Sequence, residues 1–107
     1  MRIRARGRAY IRYECSDSVN TVVGTAQEIA ERGIFLVAER PFALGTRLYL
    51  RLTGNGGDTV EVKGSVVWVR QTRTRAGPSG MSVEFSNLDA SQRETVAYLV
   101  EEALASP

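Results

Sequence analysis

The 107-residue sequence predicts an all-β barrel of six antiparallel strands with one C-terminal α-helix. Three observations predict it. Short β-prone runs recur along the chain, separated by clusters of Gly, Pro, Asn, Asp and Ser that favour turns. Several of these runs alternate apolar and polar residues, the pattern of strands with one buried face. The C-terminal stretch then changes period, and Val96, Leu99, Val100, Ala103 and Leu104 recur at helical spacing. A sandwich would also accommodate such strands, but a barrel leaves fewer edges open.

In chain order, residues 1–7 are Arg-rich, and Arg2, Arg4, Arg6 and Arg8 alternate with small or apolar residues into a first strand at 8–15. These arginines suit a solvated tail as well as a phosphate grip. Ser16-Asp17-Ser18 is turn chemistry. The second strand spans 21–29, where Gly24 suggests a bulge or a close backbone approach. A polar hinge ends in Gly33, whose backbone freedom would let the chain reverse or a ligand come close. The apolar run 34–38 reads as a third strand covered on both sides, stopped at Glu39-Arg40-Pro41.

Leu44-Gly45-Thr46 leads into a fourth strand with Leu48, Leu50 and Leu52 on one face and Arg47, Tyr49 and Arg51 on the other. The Gly-rich stretch 53–58 is a hairpin loop; no Lys-Ser or Lys-Thr pair follows it, so it lacks the context of a phosphate loop. Residues 60–70 form the longest strand, with Gly64 as a bending point and Trp68 as a core or rim residue rather than a stacking platform. A polar turn at 71–79 precedes a sixth strand with Met81, Val83 and Phe85 inward, completing the barrel at 8–86. Asp89 is the expected N-cap of the helix 89–104, with Gln92 placed to bond back to it.

Length fits a single domain over 1–107, and 43% hydrophobic with 24% charged residues is the balance of a folded soluble chain. One cysteine permits no internal disulfide, so a cytoplasmic location is the default expectation. No apolar run approaches the ~20 residues that a membrane helix requires, and no membrane insertion is expected. The absence of histidine removes the commonest general base and metal ligand. The sequence therefore predicts no enzyme, no catalytic residue and no metal, and it makes Cys15 structural. A nucleic-acid-binding barrel is an alternative on composition, because Tyr10, Tyr13, Tyr49 and the arginines would suit one. These residues are too sparse to mark a stacking face.

The segments Glu28-Ile29-Ala30-Glu31-Arg32-Gly33-Ile34-Phe35-Leu36, Pro41, Gly45-Thr46, Gly64-Ser65-Val66-Val67-Trp68-Val69 and Gly80-Met81-Ser82-Val83-Glu84-Phe85 follow one another as the signature pieces of the PilZ domain family do. The chain resembles that family from about Arg4 to Leu104, and looks most like its deltaproteobacterial, myxobacterial-type branch in motility and signalling proteins. The resemblance implies the six-stranded barrel with its helix, and usually a receptor for cyclic di-GMP. In the family an Arg-x-x-x-Arg motif precedes the first strand. Alignment from Tyr13 puts its second arginine at Arg4 and its first before Met1, while spacing also allows Arg4 with Arg8, or Arg8 with Arg12.

The family's hinge motif, Asp/Asn-x-Ser-x-x-Gly, stands here as Glu28, Ala30 and Gly33. Glu28 still accepts hydrogen bonds but carries an extra methylene, and Ala30 has no polar side-chain atom. Two lost polar contacts weaken a ligand by roughly thirtyfold to ten-thousandfold. The resemblance therefore implies degenerate ligand positions, no cofactor, weak or absent cyclic di-GMP binding, and a protein partner in a motility or signalling pathway. Contacts to that partner are expected from Arg6, Arg12, Glu31 and Arg32, with Glu28 exposed beside them. The alternative is a genuine cyclic di-GMP receptor, in which Arg4, Arg6 or Arg8 replaces the missing arginine and Glu28 reads guanine.

Overall fold

The structure, a computed structural model, describes residues 11–105. It contains the strands β1 (Arg12–Ser16), β2 (Thr21–Ile29), β3 (Gly33–Val37), β4 (Arg47–Thr53), β5 (Thr59–Arg70) and β6 (Gly80–Ser86), followed by the helix α1 (Ala90–Ala105). The strands close a barrel in the order β1-β2-β3-β6-β5-β4, and every neighbouring pair is antiparallel. The fold is the one that the sequence predicts. Of the first strand's expected span, residues 8–10 lie outside the described residues, as do Arg4 and Arg6.

Alternation fills the barrel. Leu48, Leu50 and Leu52 of β4 are almost wholly buried, while Arg47, Tyr49 and Arg51 face out. Val60, Val62 and Val66 of β5 meet Met81 and Val83 of β6, and Ile34 and Leu36 join them from β3. Tyr13 also points inward, and its hydroxyl donates to the Val37 carbonyl at 2.5 Å, so the one polar atom that the ring carries into the core is satisfied. This removes Tyr13 from any base-stacking face.

Gly33 has a role other than the expected one. Its φ is not positive, and a Cβ there would stand 2.6 Å from the Val83 carbonyl oxygen, so β6 rather than a ligand requires the glycine. Of the two readings of Gly24, a bulge or a close approach, the structure has the close approach. Gly24 pairs in register with Tyr13 and makes room for its ring, and the register of β2 shifts between Ala26 and Glu28 instead. A second shift separates Val66 from Trp68 in β5.

The helix starts on a reciprocal cap: the Gln92 amide donates to the Asp89 carboxylate at 2.7 Å, and the Asp89 amide donates to the Gln92 side chain at 2.8 Å. Gln92 Nε2 donates further to the Glu61 carbonyl at 2.8 Å and ties the first turn to β5. Val96, Leu99, Val100 and Ala103 then enter the core. Leu104 does not, although the spacing includes it; it is 57% exposed. At 3.6 residues per turn it falls ~80° around the axis from Val96, on the margin of the stripe.

Candidate functional site

The hinge between β2 and β3 is a tight reversal pinned from two sides. The Ala30 amide donates to the Gly33 carbonyl at 2.9 Å, and the Arg32 carbonyl accepts from the Phe85 amide at 2.8 Å, which fixes the turn against β6. Across the outer wall, register places Glu28, Phe35, Ser82 and Trp68 side by side on β2, β3, β6 and β5. A depression of about 380 Å³ opens there, with Glu28, Ala30, Arg32, Phe35, Val67 and Glu84 among its lining residues.

Phe35 lies on this outer wall and is nevertheless buried, because Trp68 and Arg70 cover it. The rings of Phe35 and Trp68 are tilted by 50° with centroids 6.2 Å apart. The Arg70 guanidinium lies 5.2 Å from the Phe35 ring and 5.0 Å from the Trp68 ring. Each such cation–π contact contributes ~0.5–2 kcal/mol, depending on exposure. Arg70 also donates to the Pro78 carbonyl at 2.9 Å, so the 71–79 turn and the aromatic pair brace one another. Gly80 admits the arrangement, since a Cβ there would meet the Phe35 ring at 2.8 Å.

Glu28, Ala30, Arg32 and Gly33 are thus brought together. Glu28 is half-buried rather than exposed as expected, because its register neighbour is the covered Phe35. Glu31 is exposed and turns towards a separate groove between the hinge and α1, shared with Glu84 and Arg93. Arg12 is exposed on β1, paired with Thr25 and Thr53, and does not line the hinge depression. Arg4, Arg6 and Arg8 lie outside the described residues.

Trp68, expected in the core or at the rim, is 48% exposed, and Val67, which sequence reasoning did not single out, is 51% exposed. Val67 faces out by the ordinary alternation of β5, the shift after Val66 turns Trp68 outward as well, and Trp68 stands on the rim of the site. The signal was the unbroken apolar run Val66-Val67-Trp68, which violates the alternation that the rest of β5 keeps.

Burial, and then the nearby Asp17 charge, push the Cys15 thiol up to about 11, and the side chain is fully buried. Desolvation likewise raises the Tyr13 phenol. Among the described residues no group of three or more His, Cys, Asp or Glu side chains is placed to hold a metal ion. No helix among them is long and apolar enough to cross a membrane.

A family model described as PilZ domain matches residues 2–102. No curated protein matches the chain significantly. Among solved structures, the Bacillus subtilis inhibitor of motility MotI/DgrA is similar over 100% of this chain and 52% of its own, at 15% identity and a TM-score of 0.74. The PilZ domain of Escherichia coli YcgR with cyclic di-GMP is similar over 97% of this chain and 88% of its own, at 14% identity and a TM-score of 0.70. MrkH of K. pneumonia in its apo state covers 97% of this chain at 13% identity and a TM-score of 0.73, and the match takes in 50% of MrkH. The chain therefore spans about half the length of MotI and MrkH. At these identities the likeness establishes the barrel with its helix.

Proposed function

Because the chain belongs to the PilZ domain family, we propose that it is a non-enzymatic regulatory domain of cyclic di-GMP signalling that acts through protein contacts and has weak or absent nucleotide binding. The observation that carries this is the lining of the hinge depression. Ala30 supplies no side-chain hydrogen bond there, and Glu28 stands where the family has Asp or Asn, with its carboxylate one methylene further out. A cyclic dinucleotide therefore meets fewer hydrogen-bonding partners here than at the family's usual site. The neighbours support a regulatory role: one is an inhibitor of motility, and another is a PilZ domain solved with cyclic di-GMP. A cytoplasmic location follows from the same reading, since the nucleotide signal is intracellular.

Calorimetric titration of the chain with cyclic di-GMP tests it. Dissociation constants no tighter than about 30 µM are expected, the thirtyfold loss that two missing contacts impose on a micromolar ligand. The double change Glu28→Asp with Ala30→Ser restores the family's motif and should tighten binding by about tenfold or more. Submicromolar binding by the unaltered chain would overturn the proposal.

One observation favours a receptor instead. The half-exposed Trp68 indole stands beside the depression with the Arg70 guanidinium next to it, a surface on which a guanine would stack. Quenching of Trp68 fluorescence at micromolar cyclic di-GMP, abolished by charge reversal of Arg4, Arg6 and Arg8, would establish that role. A nucleic-acid role loses support, because Tyr13 is buried and Glu28 and Glu84 line the hinge depression.

A further inference from the structure

The ring order separates β4 from β3 by three steps in either direction, so the wall that β4 presents faces away from the hinge depression. Tyr49 stands on that wall, 61% exposed. It lines two depressions of about 380 and 430 Å³, one towards Glu14 and Arg51, the other towards Arg47 and Ser65. Its register partners are Ser16 on β1 and Lys63 on β5. The Lys63 ammonium lies 5.5 Å from the Tyr49 ring centroid, close enough to hold the ring upright through its negative face.

The charges on this wall fall into two kinds. Arg51 is engaged, 3.7 Å from Glu14 and 3.4 Å from Glu61. Arg47, two residues before Tyr49 on β4, and Lys63, opposite it on β5, face out and pair with no carboxylate among the described residues. Tyrosine and arginine, which Tyr49 and Arg47 supply here, are enriched at protein interfaces.

We propose that the β4 wall, centred on Tyr49 with Arg47 and Lys63, is the docking surface for a carboxylate-rich segment of a partner protein. This gives the protein-contact function proposed above a location and a partner chemistry, and it rests on that function. The occupant is acidic protein because the two cations pair with no carboxylate among the described residues while Tyr49 offers apolar contact. A nucleic acid fits worse. Its phosphates come at one charge per ~1.7 Å of duplex, and such a run would lie against Glu14 and Glu61 as well as the cations. A folded acidic segment places its carboxylates only where Arg47 and Lys63 stand.

The test follows backbone amide shifts of the isotope-labelled full chain at low salt, as a synthetic Glu- and Asp-rich peptide with one aromatic residue is added. Shifts are expected on β4 and on the facing residues of β1 and β5, with none from a Lys-rich peptide of equal length. The variant Arg47→Glu with Lys63→Glu should weaken binding by about tenfold or more, the value of one lost charged contact. Both side chains are exposed, and far-ultraviolet circular dichroism checks that the variant folds. Tyr49→Ser, which keeps both cations, should weaken it by about threefold or more. The proposal is overturned if the acidic peptide shifts no amide of this wall or if neither variant weakens its binding. It is equally overturned if a thymidine oligomer binds the same wall more tightly, or if the wall's amides shift with protein concentration alone, marking a second copy as the occupant. A cyclic di-GMP titration of the same sample reads amides around Arg32 and Trp68 on the opposite wall, so failure of this surface and failure of the weak-nucleotide proposal are told apart.

Discussion

A methyl group on residue 33 would stand 2.6 Å from the Val83 carbonyl, and that oxygen belongs to a paired strand that cannot withdraw. Gly33→Ala should therefore destabilise the fold by ~1–3 kcal/mol through overpacking, read as a lower urea midpoint with an unchanged slope. At Gly45 the outcome has another origin. The space there is open but φ is +88°, so Gly45→Ala should cost ~1–2 kcal/mol through the backbone alone. Cys15 carries a prediction about pH. Folding holds its thiol at about 11, above the ordinary 9.0, so the stability it contributes is complete below pH 9 and is lost as pH rises through 11. At pH 8 its thiolate fraction is ~100-fold smaller than in the unfolded chain, before burial is counted. Reaction with a disulfide reagent should accordingly be slow in buffer and prompt in denaturant; equal rates would mean that Cys15 is accessible.

At the scale of elements, the junction of α1 with β5 is the most specific. Gln92 holds the Asp89 amide and the Glu61 carbonyl at once, so Gln92→Ala removes a cap and an inter-element tie together. A loss of ~1–2 kcal/mol is expected, larger than at an ordinary exposed position, and thermal denaturation measures it. Most of the sequence-derived strands matched because they are period-two patterns bounded by turn residues, β4 with Leu48, Leu50 and Leu52 being the plainest case, whereas β3 was legible as a short apolar run between a glycine and a proline. The helix was legible through its cap and its stripe, except at Leu104, where the stripe runs out. What escaped sequence reasoning were the two register shifts, at Gln27 and Val67, because a bulge depends on how two strands meet and not on either alone. The site suffered most from this. Its motif positions at Glu28, Ala30 and Gly33 are contiguous and could be read directly, whereas its rim at Trp68 comes from a strand more than thirty residues away, exposed only by the second shift.

For the whole molecule, closure joins distant segments: Arg12 pairs with Thr53, and Gly33 with Glu84. The entropy of closing such loops precedes the contacts that reward it, so folding should take milliseconds to seconds rather than microseconds. Stopped-flow fluorescence of Trp68, the only tryptophan, measures it, and a fold completed in microseconds would contradict closure as the slow event. Closure also governs how this domain meets other proteins. Every described strand pairs with a neighbour on each side, so the barrel offers no full-length strand edge for a partner to extend. Side chains on the outer wall then carry most of the recognition. Substitutions at exposed positions outside caps and packed sites shift stability by only ~0.5 kcal/mol. Such a barrel can therefore exchange one partner for another within a few surface mutations, as an evolving lineage would require, without losing its ability to fold.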